Sequence, residues 1–599
     1  MRASIAQTRA ALGLVWASSP RGTLALAVLT VVASLLPPAI AYVGKWIIDA
    51  VLAAVAAPVG PLKDAATRQA LVYVAVELGL VATAAAVERG LSLTRSVVGA
   101  RLGSDVNVKI LDKALSLDLV HFEDSEIYDK LTRARQGASS RPLSLVMAQF
   151  EIAKGLLSLA GYLGLLIAFS PWMVLAVLAA SIPAFLSEAR FSQAAFRLRS
   201  WRSPETRKQF YLERVLASDE HAKEVKLLDI GKHLLDRYRE TTETFVRDDR
   251  KLAIRRAAWG FVLTQIGSAT FYVCYALVAL AAIAGRLTLG GMTLYLVAFK
   301  QAQGSFALVL GAIGGMYEDS LYVSNLFAFL AIPTTRTEAP LDDVAVLDER
   351  GLRFDNVGFK YPGTERWAVR SVDIFVPAGG SLALVGENGA GKTTLVKLLT
   401  RLYTPTEGRV LLDGKDLRAW DERTLRRRIG VLFQDFGRYQ FMLRENVAFG
   451  DLPKLTDDAA LLEAVDQGGA TEILERSPAG LDSQLGKWFK GGVELSGGEW
   501  QRVALARALV RKDASVVVLD EPTSALDATA EHRVFERLRE MAAGRIAVFV
   551  SHRYSTVRRA DQILVLDHGT IVERGTHADL LALDGRYAHA FRLQAEGYR

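Results

Sequence analysis

The chain has 599 residues, 51% of them hydrophobic and 23% charged, with 72 Lys and Arg against 65 Asp and Glu, and its mean hydropathy is +0.20. A soluble enzyme of this length rarely has a positive mean hydropathy and a pure membrane bundle rarely carries so much charge, so the average describes two regions of opposite character. The single cysteine, Cys274, excludes an intrachain disulfide, fits no zinc or redox spacing, and reads as a small buried apolar residue.

After a short cytoplasmic N-terminal segment (residues 1–18), a membrane domain is predicted over residues 19–330. Its apolar stretches lie near residues 22–48, 70–93, 143–169, 171–187, 257–284 and 291–316. Each approaches the ~20 residues that cross ~30 Å of hydrocarbon, which predicts six transmembrane helices. Ser170-Pro171-Trp172 divides the third from the fourth. No A-x-A type cleavage site follows the first span, so it is expected to be retained. Only about twenty residues precede it, so no added peptidase domain is expected.

Lys and Arg set the orientation. The connector between spans two and three carries Arg95, Arg101, Lys109, Lys113, Lys130 and Arg133; that between four and five carries Arg190, Arg197, Arg202, Arg207 and many more through Arg256. The other connectors hold only Lys63, Arg68 and Arg286. The positive-inside rule therefore predicts that both termini and both long connectors are cytoplasmic, in a plasma membrane, and it explains the basic excess without nucleic acid as a partner. The connectors are rich in Ala, Leu, Lys, Arg and Glu, as helices continuing out of the membrane would be, with turns near residues 121–136 and 213–226. Asp and Ser at those turns are expected to cap helices. Within the spans, Glu77 and Glu88 lie three helical turns apart on one face, and Lys300 lies near the middle of the sixth. Lys300 and Glu77 are the expected lining of a translocation path, against an alternative in which Lys300 makes a structural pair and Glu88 sits at the cytoplasmic edge. Tyr272, Tyr275, Tyr295 and Phe299 offer contacts to an apolar substrate, or serve packing.

Residues 331–350, with Pro333, Pro340 and no long apolar run, predict a linker. From residue 351 to 599, short β-branched runs such as SLALVG (381–386) and SVVVLD (515–520) alternate with helical patterns, as in an α/β domain. The run Gly386-Glu387-Asn388-Gly389-Ala390-Gly391-Lys392-Thr393-Thr394 follows the first of these and opens a helix. Its glycines let backbone N–H groups wrap phosphates, Lys392 reaches the β and γ phosphates, and the Thr393 hydroxyl ligates Mg²⁺. At Val516-Val517-Val518-Leu519-Asp520-Glu521, Asp520 is placed to orient Mg²⁺ and Glu521 to act as general base for the attacking water. Between them, Leu495-Ser496-Gly497-Gly498-Glu499 forms a second anion-binding helix start with no phosphate of its own, which points to two copies.

With these residues in this order, nearly the whole chain resembles ATP-binding cassette (ABC) transporters, most closely an exporter-type half-transporter: a polytopic α-helical membrane domain followed by an α/β P-loop cassette. The resemblance implies an ATPase binding ATP and Mg²⁺, with Ser496, Gly497 and Gly498 of one subunit capping the ATP of the other. It further implies that Tyr361 stacks on adenine, that Gln434 contacts Mg²⁺ and the catalytic water, that Asp527 acts across the dimer, that His552 is the switch histidine, and that the two cytoplasmic turns dock on the cassettes. A complete set of site residues favours a homodimer over a heterodimer with a degenerate partner. Export of a drug, lipid or peptide is the expected activity; an importer with the exporter fold and an ATP-gated channel or regulator are the alternatives. Two departures stand out: Glu499 where the family usually has Gln, and LGKWFKGGVE, with Lys487 and Lys490, where exporters often carry T-x-V-G-E-x-G.

Overall fold

The computed structural model describes residues 2–124, 127, 130, 131, 134, 140–167, 170–333, 350–522 and 544–596. It divides into two compact units, residues 1–117 with 124–333 and residues 118–123 with 334–599. Residues 334–349 of the predicted linker and part of the first predicted turn lie outside the described residues.

The first unit is helical: α1 (Arg2–Ser18), α2 (Pro20–Ala56), α3 (Pro61–Leu115), then, after the short α4 (Leu119–Glu123) of the other unit, α5 (Arg141–Ile167), α6 (Pro171–Trp201), α7 (Ser203–Ala217), α8 (Asp219–Leu227), α9 (Gly231–Ile283) and α10 (Leu289–Leu330). Proline starts α2, α3 and α6, where its missing N–H has no helical partner to lose. By length and composition α2, α3, α5, α9 and the Leu289–Met316 part of α10 can cross a membrane. The remaining predicted segment opens the 31-residue α6. At 55 and 53 residues, α3 and α9 run about 80 Å, more than twice the hydrocarbon thickness, so each span continues as a helix beyond it.

Within the bundle α2 packs on α3 and α5, α5 on α10, and α6 on α9. A Cβ on Gly155 of α5 would lie 2.5 Å from Val309 Cγ2 of α10, so the close approach of these two helices requires glycine. Leu24, Leu78 and Phe261 are 59%, 69% and 67% exposed, an outward apolar surface suited to lipid. Glu88 forms an ion pair with Lys154 of α5, so its partner lies on a neighbouring helix. Among the described residues, no ion pair or hydrogen bond joins Lys300 to Glu77. Phe299 is 2% exposed and packs in the bundle core, with Tyr295 partly buried against that core, whereas Tyr272 is 65% exposed. Cys274 is buried, as expected. Ser218 precedes α8, but its hydroxyl caps nothing and is buried without a partner.

The second unit holds two sheets. β1 (Gly351–Lys360), β2 (Trp367–Pro377), β4 (Glu407–Leu412) and β5 (Lys415–Asp416) form an antiparallel sheet in the order β2-β1-β4-β5. β3 (Ser381–Gly386), β6 (Ile429–Leu432), β7 (Val516–Asp520), β8 (Ile546–Val550), β9 (Gln562–Asp567) and β10 (Thr570–Gly575) form the other, ordered β10-β9-β3-β8-β7-β6. All of its pairs are parallel except β10 with β9. Every residue of β7 and β8 is buried, which explains their continuous apolar runs: a central parallel strand is covered on both faces. A separate helical core joins α12 (Leu443–Ala448), α13 (Asp458–Gln467), α14 (Thr471–Arg476) and α15 (Gly497–Leu509), through Val447, Leu461, Ile473, Trp500 and Val503. The helix that follows the phosphate loop, α11 (Lys392–Leu399), packs instead on the sheets.

Candidate functional site

Four parallel strands, β3, β8, β7 and β6, end at one edge of the larger sheet, the edge at which open α/β sheets bind ligands. The phosphate loop leaves β3 at Gly386, His552 follows β8 by two residues, Asp520 ends β7, and Gln434 follows β6 by two. Residues more than 160 positions apart thus meet because their strands are neighbours.

The loop's shape depends on its glycines. Gly391 has φ +104°, and a Cβ there would lie 2.6 Å from Val369 Cγ1 and 2.8 Å from Ala368 O. Gly389 has open space around it but φ +82°, which only glycine adopts without strain. The ammonium of Lys392 donates to the carbonyls of Gly386 at 2.7 Å and Glu387 at 2.8 Å. Burial draws its pKa down, against the pull of Glu521 and Asp520. The Thr393 hydroxyl donates to Asp520 Oδ2 at 3.2 Å, pairing the two residues predicted to serve Mg²⁺. Asp520 is 1% exposed, and burial pushes its carboxyl up to about 6. A carboxylate so placed suits a cation.

Glu521 sits in the left-handed region, with φ +53°. Its amide donates to Val550 O at 2.8 Å. One carboxylate oxygen lies 3.0 Å from His552 Nε2 and the other accepts from Gln434 Nε2 at 3.0 Å. The three predicted catalytic residues therefore converge on one carboxylate. Burial draws the His552 pKa below its ordinary value, which favours the neutral imidazole beside this carboxylate. Gln501 of α15 donates to the Glu521 carbonyl at 2.9 Å, tying α15 to the residue that follows β7. This contact was not foreseen, although Gln501 lies five residues past Ser496.

Tyr361 follows β1 and packs edge-on against Phe359 and Tyr403, with ring centroids 5.0 and 5.4 Å away. Its hydroxyl is 3.1 Å from the Thr394 hydroxyl, which places the predicted adenine-stacking ring beside the phosphate loop. The Lys397 ammonium lies 5.3 Å from the centre of that ring. Lys397 also pairs with Glu123 of α4 at 2.9 Å, and Glu123 accepts from the Tyr403 hydroxyl. Burial opposes ionisation of Glu123, but these bonds hold its carboxyl below the ordinary value. Leu119 and Val120 pack against the cassette core. The first turn, Glu123 included, is expected to dock on the cassette, but its pairing with Lys397 and Tyr403 was not foreseen because nothing in a linear pattern links position 123 to position 397.

Ser496 caps α15: its hydroxyl accepts from the Glu499 amide, and its own amide donates to Glu499 Oε2 at 2.7 Å. Gly497 has open space around it. Among the described residues, no hydrogen bond joins this turn to the phosphate loop. Lys487 is engaged by Glu494 at 2.7 Å. Asp527 lies outside the described residues.

A profile described as "ABC transporter" matches residues 369–524, the phosphate loop and the Asp520–Glu521 pair included. The subtilin transport ATP-binding protein SpaT of Bacillus subtilis is 31% identical over 80% of this chain and 78% of its own length. The chain belongs to the ABC transporter family. The nisin transport ATP-binding protein NisT of Lactococcus lactis subsp. lactis is 28% identical over 80% of both chains. The ATP-dependent lipid A-core flippase of Shewanella oneidensis is 38% identical over 57% of this chain and 56% of its own. A solved bacterial Atm1-family ABC exporter with ATP bound superposes with a TM-score of 0.77 at 24% identity, covering 96% of this chain and 97% of that one. The fold is thus that of an ABC exporter, with membrane helices and cassette fused in one half-transporter. The chain is an ATPase and an ATP-driven transporter.

Proposed function

We propose that two copies of this ABC half-transporter form a homodimer that exports an amphipathic substrate, in the first instance a peptide, across the plasma membrane. The observation that carries the reading is the convergence of His552 and Gln434 on Glu521, each at 3.0 Å. One chain thereby carries the hydrolytic side chains itself, which supports a second copy of the same chain, rather than a different one, as the subunit that completes each ATP site. The peptide assignment rests on relatives named for subtilin and nisin transport, and the cytoplasmic orientation on the Lys and Arg of the long connectors.

Thr393 and Gln434 would hold Mg²⁺, with Asp520 behind Thr393 at 3.2 Å. The ion supplies neutralisation of phosphate charge. Glu521 accepts a proton from the water that attacks the γ-phosphorus, while His552 and Gln434 hold that carboxylate in position. The bond from the γ-phosphorus to the bridging oxygen breaks, and ADP and phosphate leave. Lys392 stabilises the phosphate charge, and Tyr361 supplies a face for adenine. Ser496, Gly497 and Gly498 of the second subunit close over the γ-phosphate, so hydrolysis releases the cassette dimer. Glu123 of the first cytoplasmic turn and the α8 turn carry that change to the membrane helices, where Lys300 and Glu77 line the path.

Inside-out vesicles tested with a labelled cationic amphipathic peptide and with a labelled lipid provide the check, with native mass measurement of the purified chain. ATP-dependent peptide uptake by a dimer, lost in Glu521→Gln, is expected. Uptake of lipid alone overturns the peptide assignment, uptake that persists in Glu521→Gln overturns the role of Glu521, and an inactive monomer overturns the homodimer.

A further inference from the structure

The signature turn carries an unusual charge. Glu499 is the third residue of α15, and its carboxylate caps the helix start by accepting from the Ser496 amide at 2.7 Å. A carboxylate there suits the helix dipole. It also competes with the use of the same helix start as a phosphate site, because it brings a negative charge toward an incoming γ-phosphate.

The fold supplies a counter-charge. Arg476, the last residue of α14, lies 2.5 Å from Glu499 Oε1. The Glu499 side chain is only 14% exposed and that of Arg476 is 46% exposed, so the carboxylate end of the pair is sheltered while the guanidinium stays open to solvent. Arg502 on the same helix is 4.0 Å away and is shared with Glu472 at 3.5 Å, which leaves Arg476 as the closer cation. The Ser496 hydroxyl accepts from the Glu499 amide, so its proton is left to donate outward. Burial works against the charged carboxyl, yet the bonds from Arg476 and Ser496 hold it below its ordinary value.

We propose that Arg476 is a positioning residue for ATP capping: it neutralises Glu499 so that the Ser496–Gly498 turn remains attractive to the γ-phosphate of ATP held by the second subunit. The inference rests on the cross-subunit reading above and names the residue that lets this chain carry Glu in its signature. Glu499→Gln keeps the shape and the accepting oxygen of the cap while removing the charge that Arg476 offsets.

The test is the steady-state ATPase of the full-length transporter in lipid nanodiscs, comparing the wild type with Arg476→Gln, Arg476→Lys, Glu499→Gln and the Arg476→Gln/Glu499→Gln double variant. Arg476→Gln is expected to raise KM for ATP about fivefold, the scale of one charge at a helix end, with kcat within about twofold. Arg476→Lys stays near wild type, Glu499→Gln, which leaves Arg476 unopposed, does not raise KM and is expected to lower it, and the double variant returns KM to within about twofold of the wild type. An unchanged KM in Arg476→Gln overturns the proposal. So does a rise that persists in the double variant, or one that Arg476→Lys shares, since either outcome means that packing rather than charge is at work. A wild type that hydrolyses ATP as a monomer removes the cross-subunit reading itself, whereas a dimeric wild type whose variants share one KM removes only the role of Arg476.

Discussion

Glu521 and His552 stand 3.0 Å apart although one follows β7 and the other follows β8, and Gln434 holds the opposite oxygen of the same carboxylate. Removing the base while keeping its shape, as in Glu521→Gln, is expected to cut ATP hydrolysis by at least about 100-fold while ATP binding persists. His552→Ala leaves Gln434 in place and is expected to cost about 10- to 100-fold. Single-turnover hydrolysis and nucleotide trapping separate the two effects. A Glu521→Gln variant that hydrolyses ATP at the wild-type rate refutes the assignment of the base.

Asp520 gives a pH dependence with a definite sign. Its folded pKa is raised by burial from 3.8 to about 6, so its contribution to stability is present below the unfolded value and is lost as pH rises through about 6. At neutral pH without Mg²⁺ the ionised group costs about 2–3 kcal/mol. Asp520→Asn is therefore expected to raise the melting temperature of the nucleotide-free protein at pH 7 and to leave it unchanged at pH 4. Conversely, ATPase activity falls as pH drops through about 6 at limiting Mg²⁺, and excess Mg²⁺ moves that fall to lower pH. Melting curves and pH profiles at two Mg²⁺ concentrations check both signs.

Glu123 joins α4 to Lys397 and Tyr403, and both of those flank Tyr361. Glu123→Ala is expected to leave basal ATPase within about threefold while substrate stimulation is lost, because the site keeps its proposed catalytic residues but not its tie to α4. ATPase titrations with and without transported peptide measure this. Full stimulation in the variant counts against a coupling role.

Lys300→Met removes a charge from the middle of the sixth span and is expected to lower peptide uptake about tenfold with the unstimulated ATPase preserved. Vesicle uptake beside ATPase in the same preparation decides it. Unchanged uptake and unchanged stimulation make Lys300 a packing residue.

Much of this protein was legible in its order of residues. Apolar runs of membrane length, basic connectors and the Gly386–Thr394 loop are local patterns, set by hydrocarbon thickness and by backbone geometry around a phosphate. They predict two domains and a set of residues for a hydrolytic centre, because a strand's last residues are placed by that strand alone. The sequence did not contain the strand order β3-β8-β7-β6, which puts Lys392, His552, Glu521 and Gln434 at one sheet edge; that order arises from burying both faces of each central strand. Nor did it show Glu123 beside Lys397 or Arg476 beside Glu499. Those pairs form between separate elements, where only packing decides which charges become neighbours.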